Sequence, residues 1–174
     1  MKLCFRRAFF IPMAKSIDRV RAFFRAHSLD IEIHELSDST RTAQQAADAV
    51  GCELGQIVKS LVFVLDERDT VLALVAGDRR ADPFKIARAL HAGTVRIANA
   101  NEVRARTGFA IGGVAPIAHT SDEIKAKLFD ESLLRFDILW AAAGTPHSVF
   151  PIERETLMRL TNAEIADITN GVEA

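Results

Sequence analysis

The sequence predicts an α+β fold: one domain with a central mixed, mostly antiparallel sheet flanked by helices. Three observations predict it. Two β-branched and aromatic runs, 57–65 (IVKSLVFVL) and 71–76 (VLALVA), are separated only by the polar stretch 66–70 and read as an antiparallel hairpin. Helix-start signatures recur along the chain without a strand after each, so the regular β-α-β alternation of a doubly wound parallel sheet is missing. A length of 174 residues, 49% hydrophobic and 26% charged, suits one domain around one packed core rather than a disordered chain.

The elements follow in order. Residues 1–12 (MKLCFRRAFFIP) mix basic and apolar side chains, but Arg6 and Arg7 interrupt the apolar stretch and no small-residue cleavage site follows, which argues against a signal peptide. Met13 directly precedes a clean helical pattern, so residues 1–12 are expected to be a poorly ordered extension, or the product of a misplaced start, and 13–174 the domain. From Ser16, the apolar residues Ile17, Val20, Phe23 and Phe24 recur at helical spacing with arginines outside, and Ser28 marks the end. Alternation over 31–36 predicts a short strand. Thr42 and Gln45 form a T-x-x-Q capping box before an alanine-rich helix that Gly51 closes.

Beyond the hairpin, Asp82 and Pro83 stand as N-cap and first residue of a helix through Leu90, and Asn99 with Glu102 caps another through Thr107, with a strand at 94–98 between them. Residues 108–119 (GFAIGGVAPIAH) fit neither periodicity and are too apolar for a solvated linker; they read as a special loop. Thr120 and Glu123 predict a short capped helix, 137–143 and 148–152 two strands around the turn Gly144-Thr145-Pro146-His147, and 153–160 and 163–168 two final helices.

Composition excludes several classes of function. With a net charge of -1 the chain has no bulk electrostatic grip on nucleic acid, so any RNA contact must be local. Arg79, Arg80, Lys85 and Arg88 are one such group, set against the plainer reading of a solvated face. No apolar run of about 18 residues occurs, which excludes a membrane-spanning helix. Neither glycine-rich nucleotide motif, nor G-x-S-x-G, nor a zinc-binding histidine spacing is present, so kinase, dehydrogenase, serine-hydrolase and metalloprotease readings fall away. No metal and no cofactor are expected. Cys4 and Cys52 form no C-x-x-C, which points to a reducing compartment, the cytoplasm, with Cys52 structural.

Lys59 interrupts an apolar strand and, by period-two alternation, shares an inward face with Ile57, Leu61 and Phe63, while Ser60 faces the opposite way. Such a lysine either snorkels to the strand end or lines a cleft where it meets an anion. The run Gly112-Gly113-Val114-Ala115-Pro116 could bring backbone N–H groups close to a ligand oxygen, or be simply an apolar turn. His147 could donate to a substrate, or sit idle on a surface turn.

Three segments together resemble the YbaK and prolyl-tRNA-synthetase-associated editing-domain family: 42–63 (TAQQAADAVGCELGQIVKSLVF), Gly112 to Pro116, and 129–152 (FDESLLRFDILWAAAGTPHSVFPI). The resemblance implies a mixed α/β domain that hydrolyses the ester of mischarged tRNA in trans, on tRNA(Pro) carrying alanine, cysteine or a similar small residue. Its implied partners are that tRNA and, transiently, prolyl-tRNA synthetase; the alternative is a non-catalytic tRNA-binding module of the same fold. Carried over residue by residue, Lys59 matches the family's functional lysine and Gly113 to Pro116 its G-x-x-P loop, Lys59 and Gly113 being the catalytic candidates. Gly112, Val114, Ala115, Pro116, Gly144, His147, Ser37, Thr42 and Ser60 are the implied substrate contacts.

Overall fold

The computed structural model describes residues 16–37 and 40–172. In chain order its elements are α1 (Ser16–Ala26), β1 (His34–Glu35), α2 (Ala43–Val50), β2 (Ile57–Leu65), β3 (Asp69–Ala76), β4 (Arg79–Ala81), α3 (Pro83–Ala89), β5 (Val95–Ile97), α4 (Ala100–Thr107), β6 (Ile124–Asp130), β7 (Ile138–Ala142), β8 (Ser148–Glu153), α5 (Arg154–Thr161), β9 (Glu164–Ala166) and β10 (Thr169–Val172). The extension expected at 1–12 lies outside the described residues. No helix among the described residues is long and apolar enough to cross a membrane.

The predicted hairpin is the centre of the sheet. β2 and β3 run antiparallel in unbroken register from Val58 opposite Ala76 to Leu65 opposite Asp69, turning through Asp66 and Glu67, both at positive φ. The strand order is β1-β8-β7-β2-β3-β6-β9, with β5 also on β2 and β4 paired separately with β10. The pairs β2–β7, β3–β6 and β6–β9 are parallel and the others antiparallel, the mixed sheet the sequence predicts.

Both faces of that sheet are covered. On one, Val58, Val62, Leu72, Leu74 and Phe129 pack against Val20 and Phe24 of α1, Phe109 and Leu157; on the other, Phe63, Val71, Val75 and Leu128 pack against Ile86 of α3 and Ile168. Strands buried on both faces carry continuous apolar runs instead of alternation, which is why β2 and β3 read so clearly. This corrects the expectation of a single inward face holding Lys59: either side of β2 is inward.

Three of the four predicted N-caps form. Thr42 Oγ1 accepts from the Gln45 amide at 3.1 Å, Asp82 Oδ1 from Phe84 at 2.8 Å, and Asn99 Oδ1 from Asn101 and Glu102 at 3.0 Å, each worth about 1 kcal/mol. The expected helix at Thr120 is absent. Ser121 Oγ instead accepts the Glu123 amide at 3.0 Å in a local turn, and 124–130 becomes β6, whose Ala126 and Leu128 pack with the buried face of β3. The expected helix at 163–168 is also replaced: Asn162, left-handed at φ 49° and ψ 39°, stops α5, and Glu164–Ala166 pairs with β6. The strand expected over 31–36 shrinks to His34 and Glu35, paired with Val149 and Ser148 at the sheet edge.

Candidate functional site

β2 has two unequal edges. One pairs with β3 along its length. On the other, Ile57 and Val58 pair with Trp140 and Ala141 of β7, Phe63 to Leu65 pair with β5, and Lys59, Ser60 and Leu61 lie between these two pairings. The sheet splits at this gap, and a cleft of about 290 Å³ opens there.

The gap lets consecutive residues of one strand line one cavity. Lys59 and Ser60, expected on opposite faces, both border the cleft. Lys59 is half-buried and its Nζ donates to the Arg79 carbonyl at 2.5 Å, so the strand-end tether and the cleft, posed as alternatives by the sequence, coexist. Ser60 Oγ is buried with no hydrogen-bond partner among the described residues. A buried hydroxyl left without a partner costs roughly 1–3 kcal/mol, a cost that a ligand's polar atom can relieve.

Opposite β2 stands the loop of residues 108–119, as Ile111, Gly112 and Val114. It has no ladder to hold it and is clamped by side chains. Arg19 of α1 donates to the Gly108 carbonyl at 2.8 Å and lies 4.4 Å from the centre of the buried Phe109 ring. Thr107 Oγ1 accepts the Phe109 amide at 3.1 Å, and His119 Nε2 donates to the Ala115 carbonyl at 2.9 Å. Burial of His119 pushes its pKa down to about 4, so the ring stays neutral, and the carbonyl partner fixes the proton on Nε2.

Gly113 sits where no side chain fits. A Cβ there would lie 2.7 Å from the Cα and carbonyl carbon of Thr145, so the loop rests directly on the backbone of the β7–β8 turn. Its own amide donates to the Ala110 carbonyl at 3.0 Å, whereas the amides of Gly112 and Val114 have no acceptor among the described residues. The loop amides that can reach a ligand are therefore Gly112 and Val114 rather than Gly113.

The β7–β8 turn closes the cleft with Pro146 and Ser148, while Arg41 and Thr42 close it from the start of α2. Gly144, at φ 102°, lies against the Ser16 backbone, where a Cβ would come within 2.7 Å. His147 does not line the cleft: its Nδ1 donates to the Thr40 carbonyl at 2.9 Å and ties the turn to the segment before α2. Ser37 is exposed and Ala115 and Pro116 are buried, all three outside the lining. Arg41, Ile111, Trp140 and Ser148 line it without having been singled out from sequence; only Trp140, the single tryptophan, carried any signal. No group of three metal-ligating side chains occurs among the described residues.

A mixed sheet split at one strand, with a lysine and a partnerless hydroxyl facing a glycine loop with open amides, defines a small-group binding domain of the α+β class. The chain belongs to the aminoacyl-tRNA editing domain family, whose model matches residues 37–160. A crystal structure of a candidate trans-editing enzyme for prolyl-tRNA synthetase superposes with a TM-score of 0.83 at 43% identity, covering 90% of this chain and 98% of that one. The uncharacterised protein YwhH of Bacillus subtilis is 30% identical over 86% of this chain and 94% of its own length. EbsC of Enterococcus faecalis, described as a candidate Cys-tRNA(Pro)/Cys-tRNA(Cys) deacylase, is 28% identical over 76% of this chain and 80% of its own. The proline–tRNA ligase of Lactobacillus johnsonii is 34% identical over 67% of this chain, which spans only 20% of the ligase.

Proposed function

We propose that this chain is a trans-editing deacylase that hydrolyses the ester linking a small, wrong amino acid to tRNA(Pro), with mischarged tRNA as substrate and prolyl-tRNA synthetase as a transient partner. The observation that carries this reading is one cleft lined together by Lys59, Ser60, Gly112 and Val114, of which the Ser60 hydroxyl and the Gly112 and Val114 amides have no hydrogen-bond partner among the described residues. The names of its relatives, a Cys-tRNA deacylase and a trans-editing enzyme for prolyl-tRNA synthetase among them, supply the substrate class.

The chemistry asks little more. An aminoacyl ester is already activated, so positioning and donors aimed at the developing oxyanion suffice. Lys59 holds the phosphate or ribose of the terminal adenosine, Ser60 hydrogen-bonds the substrate, and the Gly112 and Val114 amides orient the carbonyl. The oxygen of a water, which a neighbouring substrate hydroxyl can orient, adds to that carbonyl; the ester C–O bond breaks, the water's proton passes to the departing ribose oxygen, and the free amino acid is released.

The test is a panel of Ala-, Cys- and Ser-charged tRNA(Pro) incubated with the wild-type chain. Release of at least one amino acid well above the spontaneous rate is expected. Binding of tRNA with no release from any of them would make the chain a non-catalytic module and overturn the proposal.

A further inference from the structure

The cleft takes the aminoacyl end of a substrate whose remainder is polyanionic, yet the chain's net charge is -1. The surface next to the cleft differs from the average. Lys59, on the cleft wall, donates to the carbonyl of Arg79, which ties the cleft to the first residue of β4, a few residues before α3. There, four cations fall within residues 79–88, and Phe84 projects into solvent at 86% exposure, the most exposed large apolar side chain among the described residues. Phe84 and Arg88, four residues apart on α3, share one helix face.

The nearby carboxylates are already engaged. Asp78 forms a two-pronged pair with Arg135 at 2.8 and 3.0 Å, Asp82 caps α3 and accepts from Asn170, and Asp167 holds Lys85 at 2.7 Å. Arg80 and Arg88 are exposed, and neither has a carboxylate within bridging distance among the described residues. An exposed phenyl ring with one such arginine on its own helix face and another four residues earlier in the chain, on β4, is the composition of a single-strand RNA platform, the ring stacking on a base while the arginines meet phosphates.

We infer that Arg80, Phe84 and Arg88 form the surface that receives the single-stranded 3′ end and adjoining backbone of the tRNA as it leaves the cleft. The inference rests on the deacylase reading and names the docking face of that site. Charge complementarity and continuity with the cleft through Lys59 and Arg79 select RNA as the occupant. No residue of this surface touches the ester, so its contribution is to binding.

The experiment is fluorescence anisotropy of uncharged tRNA(Pro) against wild type, Phe84→Ala and the double variant Arg80→Gln/Arg88→Gln, across a salt series, with thermal melts as a folding control. Stacking of about 1–3 kcal/mol per base predicts that Phe84→Ala raises Kd about tenfold with the salt slope unchanged. The double variant lowers the slope of log Kd against log salt by roughly 0.7 per lost phosphate contact. In deacylation assays the losses fall on KM, with kcat retained. Folded variants that bind tRNA with wild-type Kd and slope, while the wild type deacylates, overturn this surface alone; loss of affinity for prolyl-tRNA synthetase without loss for tRNA does the same. A wild type that neither binds nor deacylates any tRNA overturns the deacylase reading with it.

Discussion

The two walls of the cleft are held in different ways. The β2–β3 wall is a continuous ladder with apolar side chains buried on both faces, so its shape follows from backbone hydrogen bonds and core packing. The facing loop, residues 108–119, has no ladder, and its shape depends on Arg19, Thr107, His119 and the contact of Gly113 with Thr145. Changes to the hairpin's buried apolar side chains should therefore act on folding, whereas changes to the loop, and to Lys59 and Ser60 where β2 borders the cleft, should act on turnover.

The sharpest way to break that contrast is Gly113→Val. Its side chain would have to displace either the loop or the Thr145 backbone, and misplacement by about 1 Å at a reacting centre costs on the order of a hundredfold in rate. Single-turnover deacylation should fall by that factor or more while circular dichroism keeps the native spectrum. The matching change in the other wall is Leu74→Ala, at a fully buried position, which should cost about 2–5 kcal/mol in urea unfolding and leave kcat near wild type well below the melting temperature.

His119 sharpens the comparison because it acts only through the loop. His119→Leu removes the donor to Ala115 and should lower kcat about tenfold with KM for tRNA unchanged, and His119→Gln, whose amide nitrogen can reach the same carbonyl, should recover most of it. Its pH signature has a definite sign. The folded pKa of about 4 lies below the ordinary 6.5, so as pH falls below 6.5 the unfolded chain takes up a proton that the folded chain refuses. Stability is therefore lost between about pH 6.5 and 4, by up to about 3 kcal/mol, and urea titrations of His119→Gln should show that part of the slope removed.

The smallest effect is expected at Ser60. Removing a hydroxyl that has no hydrogen-bond partner among the described residues should leave stability equal or slightly raised, while kcat/KM falls about three- to tenfold. A clear loss of stability in Ser60→Ala would mean that the hydroxyl serves the fold.

The same division explains what could be read from the sequence. Periodicity exposed the hairpin, and capping chemistry located α2, α3 and α4, because those signals are local. β6 and β9 were mistaken for helices because both are drawn into strand form by parallel partners far away in the chain, β3 for one and β6 for the other. In the site, Lys59 and the glycine loop were legible as breaks in pattern. That Lys59 and Ser60 border one cleft was not, since it depends on β2 losing its partner between β7 and β5. The role of His119 leaves no mark in the histidine spacing, because it lies in one hydrogen bond to a loop with no periodic signature.

Whether Lys59 positions the tRNA end for ester hydrolysis in this cleft is tested most directly by single-turnover deacylation of mischarged tRNA(Pro) with Lys59→Ala. The account predicts a fall to the spontaneous rate in a protein whose thermal melt remains cooperative. Retention of the wild-type rate in the folded variant would contradict it.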